Sequence, residues 1–135
     1  MQNSIGEQNQ KLVLKALDTL FNKKDFDKAK QFWSDRYIQH SRLVPAEREG
    51  LFGLVRTMAD VRFEHDMAIA KDDFVWVHSR YTSASTPAPL VAVDIFRIEE
   101  GKIVEHWDVL QDEATRDESA GGHPMFGDSF ANERS

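Results

Sequence analysis

The chain has 135 residues, 41% hydrophobic and 30% charged, a balance that suits one globular domain with a core of its own. Its formal net charge of −6 leaves no basic surplus to neutralise phosphates, which speaks against nucleic acid or an anionic membrane as a partner. The absence of cysteine removes disulfides, thiolate catalysis and thiolate metal sites and fits a cytoplasmic location; the polar start MQNSIGEQNQ carries no signal-peptide core, and no apolar run approaches the ~20 residues of a membrane span.

Residues 7–22 are predicted to be helical, because Leu12, Leu14, Ala16, Leu17, Leu20 and Phe21 recur mostly at helical spacing. A second helix fits 25–34, with Asp25 as its N-cap and Phe26, Ala29, Phe32 and Trp33 on one side. Trp33 reads as a core anchor. Asp35 to Ser41 is extended, with Tyr37, Gln39 and Ser41 on one side and Ile38 and His40 on the other. A loop containing Pro45 leads into a third helix over 46–59, striped by Leu51, Leu54, Val55 and Met58. Gly50 and Gly53 inside it each cost about 1 kcal/mol relative to Ala, which close approach of another backbone or a ligand would explain.

From Val61 the period changes to two. Val61, Phe63, His65, Met67 and Ile69 alternate with Arg62, Glu64, Asp66 and Ala68, a half-buried strand. Lys71-Asp72-Asp73 turns the chain into a strand over 74–82. Trp76, His78 and Arg80 share one face of it, Val75, Val77 and Tyr81 the other. Ser83 to Pro89 is a loop by composition. Ala92 to Gln111 then reads as a hairpin about a two-residue Glu100-Gly101 turn. With Glu99 facing Lys102, Asp94 lies opposite Trp107, and Ala92, Phe96, Ile103, Val109 and Gln111 share their face. This face is predicted to line a pocket. Val93, Ile95, Arg97, His106, Asp108 and Leu110 then form the other face, packed on another layer or subunit. An extra bulge near the turn would flip the parity and put Asp108 in the pocket instead. Residues 112–135 form a polar tail, in which Met125, Phe126 and Phe130 could anchor it to the body or across a subunit boundary; otherwise it frays. Helices followed by antiparallel strands make an α+β domain, and a curved sheet wrapped around the helices leaves a conical cavity.

The order helix, helix, Tyr-Ile-Gln-His, helix, four strands, closing on Val-Asp-Ile-Phe-Arg-x-Glu-x-Gly-Lys-Ile-Val-Glu-His-Trp-Asp-Val, resembles the SnoaL-like polyketide cyclase branch of the nuclear transport factor 2-like superfamily. Within it, the group of predicted SnoaL-like aldol-condensation enzymes is most similar. The resemblance covers about residues 7–111 and makes 1–135 one SnoaL-like domain. It implies a cone-shaped fold with a curved, mainly antiparallel sheet around three N-terminal helices, and chemistry without a cofactor. Asp94 matches the position of the protonated aspartic acid of ketosteroid isomerase, and His40 falls near that enzyme's general base. Leu17 stands near the place of its oxyanion tyrosine, so an isomerase of that type is not implied.

A carboxyl facing an apolar pocket is desolvated and its pKa rises, so Asp94 is the sharpest catalytic candidate. Its structural alternative is a carboxylate satisfied by His78, Tyr37 or Arg80. His40 and His78 are the candidate proton-transfer partners. Trp107, Phe96, Trp76, Tyr37 and Val109 are the expected walls of the substrate pocket. His40, His78 and Asp94 lie on separate elements without metal-ligand spacing, so no metal is expected. The expected function is cofactor-free acid–base catalysis on a small apolar carbonyl compound, as aldol cyclisation, isomerisation or dehydration. The alternative is a non-catalytic domain for hydrophobic-ligand binding or dimerisation. A homodimer is expected, because Val93, Ile95, Val104 and Leu110 would otherwise leave an exposed apolar patch.

Overall fold

In a computed structural model, which describes residues 4–133, the helical and period-two parts of the chain segregate into two layers. Ser4 caps the first helix, α1 (Ile5–Leu17), by accepting the Glu7 backbone N–H at 3.1 Å. A π-helical turn, Asp18–Asn22, extends it. There the Asn22 amide exchanges two hydrogen bonds with the backbone of Phe63 and ties the helix to the sheet. The second helix, α2, is shorter than its apolar spacing predicts: it spans only Phe26–Ala29, capped by Asp25. Trp33 belongs instead to strand β1 (Trp33–Gln39), where it pairs with Ile103 and buries its indole edge-on against Phe52. The sheet pairing outweighs the helical pattern at that point.

Helix α3 (Glu47–Thr57) closes the other side of the core with Leu51, Phe52 and Val55. A Cβ on Gly50 would lie 2.5 Å from the Pro45 carbonyl oxygen, so the loop can fold back on the helix only over a glycine. The remaining strands are β2 (Arg62–Lys71), β3 (Phe74–Thr82), β4 (Leu90–Glu99) and β5 (Lys102–Asp112). They form a five-stranded mixed sheet in the order β1-β5-β4-β3-β2, open at both ends, with β1 parallel to β5 and every other pair antiparallel. This is the α+β cone: a curved sheet whose concave face meets the helices. Among the described residues no helix is long and apolar enough to cross a membrane.

Glu100 (φ 51°) and Gly101 (φ 74°) form the predicted two-residue turn, and Glu99 pairs with Lys102. The register then slips by one residue. Ile98 pairs with Ile103 but Arg97 pairs with Glu105, which leaves Val104 as an extra residue in β5. Beyond this bulge Asp94 lies opposite Asp108, and Ile95, not Asp94, lies opposite Trp107. A second bulge, between His65 and Ala68 of β2, turns Met67 and Ile69 outward, so the alternation predicted for that strand fails halfway along it.

The tail does not fray within the described residues. Arg80 crosses to Glu113 through two bonds of 2.8 and 2.6 Å, both side chains almost fully buried. The Arg80 guanidinium stacks 4.4 Å over Phe126, and Phe126 and Phe130 are buried against the body. Replacing Glu113 by alanine leaves that guanidinium facing Glu64 at 3.6 Å. We expect Glu113→Ala to lose about 2–3 kcal/mol in urea unfolding and to speed amide exchange across 113–133. Unchanged stability would refute the role given to this buried pair.

Candidate functional site

Between the concave sheet face and the helices lies a cavity of about 450 Å³. Leu17, Phe21, Leu51, Leu54, Met58 and Leu110 give it apolar walls. Its polar groups converge from the sheet: Tyr37, Gln39 and Ser41 from β1 and its end, Tyr81 from β3, Asp94 from β4, His106 and Asp108 from β5. They meet because the parallel β1–β5 pairing sets Gln39 beside His106, while the β4–β5 register sets Asp94 beside Asp108 and Phe96 beside His106.

Asp94 is 2% exposed, and both of its oxygens are engaged. Tyr81 donates to Oδ2 at 2.6 Å, and His106 Nε2 lies 2.8 Å from Oδ1. His106 Nδ1 lies 2.7 Å from Gln39 Oε1, and the Gln39 amide donates to the Tyr37 hydroxyl at 2.6 Å. Burial, reinforced by the Asp94 charge, pushes the Tyr37 and Tyr81 hydroxyls well above the usual tyrosine range, so both stay protonated donors. Asp108 is half-buried on the cavity wall. Burial raises its carboxyl above the usual aspartate range; Ser41 and His106 pull it back, and Asp94 adds to the rise.

Of the residues singled out in the sequence, Asp94, Phe96 and Tyr37 line this cavity. The others do not. Trp107 and Val109 lie on the convex face, because the Val104 bulge reverses the parity of β5; Val109 is 72% exposed. Trp76 and His78 also lie on the convex side, because β3 buries Val75, Val77 and Ser79 inward. His78 is covered there by the tail, with Phe126 at 5.2 Å and Asp66 at 3.7 Å from Nδ1. His40 stacks flat on Trp107 at 4.8 Å, and its Nε2 meets Glu105 at 2.7 Å, outside the cavity. Neither histidine reaches Asp94.

His106 lies on the cavity face, opposite to the face that an unbulged hairpin predicts, and Gln39 carries no mark of a role in the sequence. The sequence offers Asp108 only in place of Asp94, whereas both line the cavity. The bulge brings the two carboxyls together instead, since it shifts β5 and leaves β4 in place. The signal was the pair His106 and Asp108, two apart on one strand and so on one face. Asp94, His106 and Asp108 each bring one donor atom within 4.8 Å of the others. A metal ion there would have to break the Asp94–His106 or Gln39–His106 bond, so the set fits a hydrogen-bonded relay better than a metal centre.

The fold is that of the NTF2-like cone. The family model for the SnoaL-like domain matches residues 13–106, and the chain belongs to that family. Among solved structures it is similar to an NTF2-like protein of unknown function from Cytophaga hutchinsonii (15% identity, TM-score 0.67, covering 82% of this chain and 95% of that one). It is also similar to a candidate polyketide cyclase from Acidithiobacillus ferrooxidans (12% identity, TM-score 0.69, 81% and 92% covered) and to an LEH-like epoxide hydrolase from M. tuberculosis (13% identity, TM-score 0.65, 80% and 86% covered). At such identities the likeness is one of fold. No curated protein matches the chain.

Asp108 holds its proton more tightly in the fold than in an open chain, so its ionisation opposes folding. This penalty is absent below the unfolded carboxyl range and grows as pH rises through the folded value. We therefore expect Asp108→Asn to raise the thermal midpoint at neutral pH by about 2–3 °C, with the gain vanishing as pH falls to about 4. Calorimetry across pH tests this; a lower midpoint at neutral pH would refute it.

Proposed function

We propose that this chain is a cofactor-independent acid–base enzyme acting on a small, mostly apolar carbonyl compound. The observation that carries the reading is a carboxyl of raised proton affinity, Asp108, on the wall of an apolar cavity beside the hydrogen-bonded Asp94–His106 pair. A base of this kind suits removal of a proton from carbon next to a carbonyl, since its pKa lies nearer working pH than that of a free aspartate.

In the proposed reaction Asp108 takes the proton and the electron pair moves onto the carbonyl oxygen as an enolate. Tyr37 is the donor for that oxygen. Its hydroxyl already accepts from Gln39, so its own hydrogen is free for a ligand. The Asp94–His106 pair supplies a second exchangeable proton. The enolate then attacks a second carbonyl (cyclisation), regains the proton at another carbon (isomerisation) or expels a β-hydroxyl as water (dehydration). The folds of similar proteins named as cyclases and epoxide hydrolases support a small-molecule pocket without selecting one outcome. The second reading, a binding domain without turnover, draws on the same apolar walls.

Exchange of carbon-bound hydrogen in D2O, followed by NMR over a panel of cyclic and aryl ketones, separates the two. We expect exchange by the wild type and a loss of about 10²–10⁴-fold in Asp108→Asn, with ligand binding retained. Binding with no exchange would leave the binding domain as the answer.

We also propose that the chain works as a homodimer through its convex face. In support, Ile69, Trp76, Ile95 and Trp107 stand in register across four adjacent strands, with Ile69 65% and Trp76 47% exposed. Trp76→Glu should convert a dimer into a monomer in sedimentation equilibrium at micromolar concentration. A monomeric wild type would end the proposal.

A further inference from the structure

His106 is buried, its ring lies 4.7 Å from that of Phe96, and each ring nitrogen faces an oxygen. A neutral imidazole offers one donor and one acceptor. Two facing acceptors are therefore one too many, and somewhere in the chain of contacts an extra proton is held.

Where it is held follows from Gln39. The atom that faces His106 Nδ1 also receives the Ser41 backbone N–H at 3.0 Å. A backbone N–H only donates, so that atom must be the amide oxygen and not the nitrogen. The far end agrees, because the amide nitrogen donates to the Tyr37 hydroxyl. Nδ1 of His106 must then carry hydrogen. The open choice shrinks to one proton between Nε2 and Asp94 Oδ1, since Tyr81 already donates to Oδ2. Imidazolium beside carboxylate and imidazole beside carboxylic acid are the two forms, and both have zero net charge.

We propose that Gln39 is a positioning residue that locks His106 with its hydrogen on Nδ1, so that Asp94 and His106 share one further proton as a neutral pair and Asp108 is the lone anion at the cavity. The groups that face His106 from neighbouring elements are Tyr37 and Gln39 on β1, Tyr81 on β3, Asp94 on β4 and Asp108 on β5. The tyrosines stay protonated, so the charge at the site is set by the pair and Asp108 alone. Without the amide oxygen, Nδ1–H would be buried without an acceptor. The ring would then give up that proton and keep hydrogen on Nε2 toward an ionised Asp94. The pair would carry one negative charge and Asp108 would face a second anion.

The lock itself stands apart from the acid–base reading; its catalytic consequence rests on that reading. The test is ¹⁵N NMR of the His106 ring at about pH 7 in the wild type, Gln39→Leu and Gln39→Glu. We expect protonated Nδ1 in the wild type, unprotonated Nδ1 in Gln39→Leu, and protonated Nδ1 restored in Gln39→Glu, whose carboxylate still accepts. Unprotonated Nδ1 in the wild type overturns the proposal even if Gln39→Leu fails to fold, and so does protonated Nδ1 persisting in Gln39→Leu. On a substrate, Gln39→Leu should also move the acid limb of the rate profile up by about one pH unit, because a second anion holds the Asp108 proton more tightly. An Nδ1 that switches as expected in a protein with no turnover would defeat the acid–base reading and leave the lock intact.

Discussion

The site depends on one surplus residue in β5. Val104 breaks the antiparallel register three residues past the turn, and every side chain beyond it is re-aimed. His106, Asp108 and Leu110 turn to the cavity; Glu105, Trp107 and Val109 turn away. The outward set has its own order, since Glu105 binds both His40 and Arg97 and the His40 ring lies flat on Trp107. An unbulged hairpin would exchange the two sets, leaving an indole opposite Asp94 where Asp108 now stands.

With that register in place, the electrostatics of the cavity follow from counting protons. The walls are apolar and the carboxyls sit where water is scarce, so each uncompensated charge is costly. Asp94 meets this cost with a tyrosine hydroxyl and an imidazole. Asp108 has weaker compensation from Ser41 and His106, and its proton affinity rises. Two aspartates in one hollow are thus given different surroundings by their neighbours.

Much of the architecture was legible in the sequence because it is written in periods. Helical spacing located α1 and α3, alternation located β3 and β4, and Glu100-Gly101 marked the tight turn. Asp94 stood out as a carboxyl in an apolar strand, and it lies in the cavity. Bulges were illegible, because a period-two pattern carries no mark of an inserted residue when both faces hold apolar side chains. Val104 misplaced Trp107, Val109, His106 and Asp108 in one stroke, and the β2 bulge did the same for Met67 and Ile69. His40 and His78 misled for another reason. An imidazole suggests proton transfer, yet here the partners Glu105, Trp107, Asp66 and Phe126 all lie on the convex side.

The parallel seam between β1 and β5 has a consequence for how the molecule is made. Gln39 and His106 touch across 67 positions of chain, and β5 is the last of the described strands. A ribosome that has released everything up to the end of β4 has delivered a carboxyl, two tyrosines and a greasy concave wall, but neither the imidazole nor the second acid. Until the final strand slides between its older neighbours, the hollow is an open gutter of exposed apolar surface. The closing contacts span about half of the polypeptide, so their loop-closure entropy is lost only when β5 docks.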